Sequence, residues 1–206
     1  MITIYGDSHA RISFQNLTLQ HNNYNVNSVT MHRIGRDNII VNYNNSHNNK
    51  DSVICLVYGE IDCRCHIQRQ INEGRDEDDV INELVNNYFT TIKNNIIDYK
   101  KIIIVGIIPQ IKRGDFENIY GPITHDFPFV GDDQDRCRYT IKMNKLIEEL
   151  CNNSNYVDYI YFNPYYYYTN EDGTLKYELS DKICHLGDNT YFLEKFVELY
   201  KNIMDE

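Results

Sequence analysis

Apolar residues fall into short unbroken runs, separated by longer stretches with helical spacing. Val53-Ile54-Cys55-Leu56-Val57-Tyr58 is apolar throughout and stops at Gly59. Ile102 to Ile108 is a second such run, ended by Pro109. Met1 to Tyr5 stops at Gly6, and Tyr159-Ile160-Tyr161-Phe162 stops at Asn163-Pro164. Runs this short, with no polar alternation, fit strands buried on both faces. Ser28 to Ile34 carries Val29, Met31 and Ile34 among polar residues and predicts a weaker strand, stopped by Gly35.

Helices fit between the runs. Asp78 to Tyr99 places Val80, Ile81, Leu84, Val85, Tyr88, Phe89, Ile92 and Ile96 on one helical stripe. Its acidic start suits the positive end of a helix dipole. Arg138 to Cys151 and Thr190 to Ile203 repeat the spacing. Apolar strands alternating with amphipathic helices predict an α/β three-layer sandwich, with a mainly parallel five-stranded sheet and helices on both faces. No repeat or linker interrupts the pattern, so residues 1–206 read as a single domain, a length that supports one core. Lys112 to Asp135 is a long stretch rich in Gly, Pro and aromatics, and is a candidate lid that includes His125. Asn42 to Lys50 is a polar loop.

Charge narrows the function. The formal net charge is -10, which argues against nucleic-acid binding, since phosphates need a basic face. No apolar run is long enough to span a bilayer. The start has no basic stretch followed by an apolar one, so a cytoplasmic location is expected. Asn, Ile and Tyr are abundant, Ala10 is the sole alanine and Trp is absent. That bias fits an AT-rich genome, such as that of a large DNA virus, and needs no functional cause.

Six cysteines are too sparse for a disulfide scaffold and read as buried free thiols. Cys63-x-Cys65-His66 with Cys184-His185 hints at zinc, but structural zinc sites space paired cysteines by two to four residues. No metal is expected. The chain has no Gly-x-x-x-x-Gly-Lys and no Gly-x-Gly-x-x-Gly, so no nucleotide cofactor is expected either.

The chemistry concentrates at strand ends. Ligands of open α/β sheets bind beyond the carboxyl ends of the strands. Gly6-Asp7-Ser8-His9, Gly35 and Gly59-Glu60-Ile61-Asp62-Cys63-Arg64 all fall there in the predicted layout. A serine in a tight strand-to-helix turn can present its hydroxyl, but it needs a base. His185, just before the last helix, supplies one, and Asp181 shortly ahead of it can orient the imidazole. Asp7 suits a turn-holding role, since its side chain can accept backbone N–H groups. His9 can line the cleft. Glu60, Asp62 and Arg64 can form an ion-pair network that braces the third segment.

Taken in order, these segments resemble blocks I, II, III and V of the SGNH/GDSL hydrolases, over nearly the whole chain. Gly-Asp-Ser-His with Gly-Glu-Ile-Asp-Cys-Arg resembles a subset often met beside sugar-modifying enzymes. The resemblance implies a flavodoxin-like SGNH fold, with Ser8 as nucleophile, His185 as base and Asp181 orienting it. It implies backbone N–H groups of Ser8 and Gly35 as oxyanion donors. Two departures stand out. Ile61 occupies the place of the family's oxyanion-donating Asn, leaving Arg64 as the first candidate to replace it. Asp181 and His185 have one residue more between them than the family's Asp-x-x-His. The implied activity is a serine esterase that removes a small acyl group, acetyl foremost, from a carbohydrate or related alcohol. The alternatives are a glycan O-acyltransferase and a non-catalytic binder of glycan or a protein partner.

Overall fold

The computed structural model describes residues 1–44, 50–124 and 126–205. Five parallel strands form one sheet: β1 (Ile2–Gly6), β2 (His21–Asn25), β3 (Val53–Val57), β4 (Lys101–Val105) and β5 (Tyr159–Phe162). Their order is β2-β1-β3-β4-β5. The expected α/β sandwich with a parallel five-stranded sheet is the observed fold.

Neighbouring residues of each strand serve opposite faces, as the two-residue strand period requires. Tyr5, Leu56 and Ile104 face one layer, where they meet Ile34, Leu84, Tyr88 and Met143. That layer contains α2 (Met31–Asp37), α3 (Ile67–Asn72), α4 (Glu77–Asn95) and α6 (Asp133–Cys151). Ile4, Cys55 and Ile103 face the other layer and meet Ala10, Phe14, Phe192 and Phe196. There α1 (Ser8–Ser13) and α7 (Thr190–Asp205) cover the sheet. A further helix, α5 (Arg113–Tyr120), lies in the long segment before α6. Residues 45–49 of the expected polar loop lie outside the described residues.

Local signals start the helices. Asp76 caps α4 by accepting the N–H groups of Asp78 and Asp79 at 2.9 and 3.1 Å. Asp132 and Asp135 form a reciprocal capping box at the start of α6.

One expected element is overturned. Ser28 to Ile34 is not a strand. Met31–Asp37 is helical, with Met31 and Ile34 buried one turn apart on its inner face. The sheet takes His21–Asn25 instead, an edge strand of polar residues. Tyr24 stacks on Tyr5 at 5.5 Å, and the Asn23 amide donates to the Ala10 carbonyl at 3.2 Å. These contacts hold an edge that apolar periodicity does not reveal. Among the described residues, no helix is long and apolar enough to cross a membrane.

Candidate active site

In this strand order the chain reverses its direction of travel across the sheet between β1 and β3, where open α/β folds place their ligands. The Ser8 turn lies at the end of β1. A Cβ on Gly6 would sit 2.7 Å from the Val57 carbonyl oxygen, so only glycine lets β1 end this close to β3. Asp7 then caps α1. Its Oδ1 accepts the His9 N–H at 2.8 Å and faces His9 Nδ1 at 3.0 Å. Ser8 is the first residue of the helix and is half-buried.

His185 arrives from the far end of the chain. Asp181 N–H donates to the His185 carbonyl at 3.0 Å, and Ser180 bridges Leu186 in antiparallel fashion. Between Asp181 and His185 the chain turns at Lys182, which adopts a left-handed φ of 70°. Asp181 Oδ1 accepts the N–H groups of Ile183, Cys184 and His185 at 2.8, 3.0 and 3.0 Å. Its Oδ2 lies 2.6 Å from His185 Nδ1. A carboxylate only accepts, so Nδ1 carries a proton, and in the neutral ring Nε2 is the accepting nitrogen. Nε2 lies 2.9 Å from Ser8 Oγ. Ser8, His185 and Asp181 thus form one hydrogen-bonded chain.

Electrostatics follow from this packing. Burial disfavours charge on His185, but Asp181 and the Cys184 thiol outweigh it and push its pKa up to about 9. Burial works the other way on Asp181, yet its bonds to the His185 ring and backbone hold it below the usual carboxylate range. His9 is buried too, and Asp7 together with Cys184 holds it well above an ordinary histidine.

The third segment leaves β3 through Gly59, whose φ of 115° is left-handed and whose place for a Cβ is filled by Ile107. It continues into a π-helical turn, Asp62–His66, a form that recurs at functional sites. Asp62 turns away from Arg64. It is fully buried, and its two oxygens accept the N–H groups of Met31 and His32 at 2.7 and 3.1 Å. Burial pushes its pKa up to about 7 despite those two bonds. The expected three-residue ion network is therefore a Glu60–Arg64 pair at 3.3 Å plus a separate Asp62 cap on α2. Arg64 also lies over the Phe129 ring, 5.8 Å from its centroid. Ile61 is buried and brings no polar atom to the cleft.

Gly35 is not at the site. It lies within α2, where a Cβ would come 2.8 Å from Asn87 Cβ on α4. Its smallness lets two helices cross closely. The segment beside the Ser8 turn is Val26 to Thr30, tied to β1 by the Val26 N–H to the Gly6 carbonyl at 2.9 Å. Ser28 within it has a left-handed φ of 64°.

Two residues already noted in the sequence take places beside His9 that their spacing does not reveal. Glu60 is buried and lies 3.8 Å from His9 Nε2. Cys184 is buried beside both His9 and His185. The thiols of the apparent zinc pattern separate: Cys63 meets Met143 and Cys65 meets the Ile61 carbonyl. The candidate lid contributes α5, and its Phe116 and Phe129 pack with Ile111 and Cys184 in a small apolar cluster. His125 lies outside the described residues. A cavity of 680 Å³ along β5 and α6, lined by Tyr161, Asn163 and Tyr166, does not include Ser8 or His185.

No family model and no curated protein matches the sequence. Solved structures do share the fold. A protein from Streptococcus pneumonia described as a platelet activating factor has a TM-score of 0.63 at 18% identity, over 97% of this chain and 82% of that one. An acetyl xylan esterase, AlAXEase, has a TM-score of 0.53 at 15% identity, over 97% and 99%. A protein from Bacteroides fragilis described as an acylhydrolase has a TM-score of 0.53 at 12% identity, over 99% and 86%. At these identities the likeness is one of fold.

Proposed function

We propose that the chain is a serine ester hydrolase of the SGNH type. The observation that carries this is the unbroken chain from Asp181 through His185 to Ser8 Oγ, with contacts of 2.6 and 2.9 Å. Ser8 Oγ attacks the acyl carbonyl while His185 Nε2 takes its proton. The imidazolium returns that proton to the leaving alcohol, and water then releases the acyl group by the same route. Asp181 holds the ring in the tautomer this needs and stabilises its charge. The Ser8 N–H, at the start of α1, is the oxyanion donor of this reading, with Gly35 in the α2–α4 crossing and Ile61 contributing none.

The substrate class proposed is a small acyl ester, acetyl foremost, of a carbohydrate or related alcohol. The acylhydrolase and acetyl xylan esterase of like fold support this. The test is hydrolysis of p-nitrophenyl acetate and of an acetylated xylan by the native chain and by Ser8→Ala. Native turnover with a loss of about 100-fold or more in Ser8→Ala is expected. Equal rates in the two proteins would overturn the reading. Acceleration by an added sugar acceptor, with the acetyl group recovered on the acceptor, would reassign the chain as a transferase.

A further inference from the structure

His9 is buried, and each of its ring nitrogens faces an oxygen that only accepts. Nδ1 lies 3.0 Å from Oδ1 of the Asp7 carboxylate. Nε2 lies 3.2 Å from the Cys184 carbonyl oxygen. A neutral imidazole has one donor nitrogen and one acceptor nitrogen. It would satisfy one of these contacts and set a lone pair against the other oxygen. The imidazolium donates to both.

The surrounding charges point the same way. Asp7 is fully buried, and among the described residues its ion-pair partner is His9. Arg64 lies with Glu60 instead, at 3.3 Å. A buried carboxylate needs a compensating charge. With His9 charged, two carboxylates, Asp7 and Glu60, meet two cations, His9 and Arg64. Glu60 Oε2 is itself 3.8 Å from His9 Nε2. Tyr58 and Tyr165 line the same small cavity as Asp7, His9 and Glu60, and burial keeps both phenols neutral.

This ring lies against the one that serves Ser8. The His9 and His185 centroids are 4.5 Å apart. His185 faces Asp181 and the Cys184 thiol from its own loop, and Ser8 and His9 from α1. A like charge this close disfavours the charged form of its neighbour. His9 therefore opposes Asp181, whose carboxylate favours a charged His185. The carbonyl that His9 holds belongs to the residue just before His185, so the same contact ties the His185 loop to α1.

We propose that His9 carries a proton on both ring nitrogens at neutral pH and is a positioning residue for His185, tying its loop to α1 and favouring the neutral ring that accepts the Ser8 proton. The consequence for turnover rests on the esterase reading. The charge on His9 and its effect on His185 do not.

The experiment uses the full chain with 15N-labelled histidine, followed by NMR from about pH 6 to pH 10. Native His9 is expected to show imidazolium shifts on both ring nitrogens at pH 7. His9→Gln keeps an amide donor for the Cys184 carbonyl but has no charge. In it the His185 titration should move to higher pH by about half a unit or more, because the repelling charge is gone and the Asp7 carboxylate remains. The same shift is expected when His9→Gln is added to Cys184→Ser, which separates it from ionisation of the thiol. In parallel, kcat for p-nitrophenyl acetate below the inflection should fall about threefold for each half unit of that shift. Loss of packing alone would not move the His185 titration in this direction. A neutral His9 in the native chain at pH 7 would overturn the proposal, and that measurement needs no variant. So would a His185 titration that stays in place or moves to lower pH in His9→Gln that is folded by circular dichroism. A charged His9 and a shifted His185 in a chain that never hydrolyses the ester would overturn the esterase reading and leave the assignment of His9 standing.

Discussion

The carboxylate of Asp181 holds His185 twice, accepting its backbone N–H through Oδ1 at 3.0 Å and facing its ring Nδ1 through Oδ2 at 2.6 Å. One side chain thus fixes both the loop and the imidazole. The left-handed Lys182 allows the chain to wrap around that carboxylate, so Asp181 reaches the ring across three intervening residues.

Asp181→Asn should therefore change both rate and pH dependence. The His185 ring must be neutral to accept the Ser8 proton. With its pKa pushed up to about 9, the rate should rise with pH through that region. The substitution would replace the carboxylate that favours the charged ring with a neutral amide, so the inflection should move to lower pH. The maximal rate should fall by about 100-fold or more, as the tautomer is no longer enforced. The check is a pH–rate profile of p-nitrophenyl acetate hydrolysis. An inflection that stays in place would show that Asp181 does not control the ring.

Gly35→Ala tests the relocation of that residue from the cleft to the α2–α4 crossing. The new Cβ would meet Asn87 Cβ at 2.8 Å, so the helices must separate. Overpacking of this kind costs roughly 1–3 kcal/mol, set against about 1 kcal/mol gained in helix propensity. A lower Tm is expected, with turnover of the folded protein unchanged. A turnover loss beyond the lost folded fraction would put Gly35 back beside Ser8.

β1, β3 and β4 are legible in the sequence because burial on both faces leaves them almost continuously apolar. β5 is an edge strand with Ile160 and Tyr161 half-buried, yet it packs on both layers through apolar and aromatic side chains. β2, the other edge, is not legible, because His21–Asn25 relies on Tyr24 stacking and the Asn23 amide. The spacing of Met31 and Ile34 fits one turn of a short helix as well as it fits a strand, and tertiary packing decides between them. Ser8, Asp181 and His185 are legible because glycines and short spacings mark their turns. The contacts of Glu60 and Cys184 with His9 are not, since His9 lies 51 and 175 residues before them. Only the closed fold brings those groups together.

Asp62→Ala should destabilise the chain more than an ordinary surface change. The substitution would strip two backbone donors at the start of α2, the N–H groups of Met31 and His32, of their acceptor. Leaving buried donors unsatisfied costs about 1–3 kcal/mol. A fall in Tm is expected, with a rise in KM as the Val26–Thr30 loop loosens beside Ser8. Unchanged stability would mean that water replaces the carboxylate at no cost.

The His32–His66 pair predicts a loss of stability in mild acid. The two rings stack with centroids 4.0 Å apart. Burial, then the neighbouring His32, Arg69 and Arg75, depress the His66 pKa to about 4, and burial followed by Arg36 lowers that of His32. Between about pH 4 and the ordinary histidine value near 6.5 the unfolded chain therefore binds more protons than the folded one. Stability should fall as pH drops through that window. Asp62 acts in the opposite sense, because its raised pKa makes the folded chain the better proton binder below about pH 7. The comparison of native protein with His66→Gln isolates the histidine, since Asp62 is common to both. Urea midpoints at pH 7.5 and pH 5 should fall further for the native chain than for His66→Gln, whose neutral amide takes up no proton. Equal losses in the two proteins would assign the acid sensitivity to other groups.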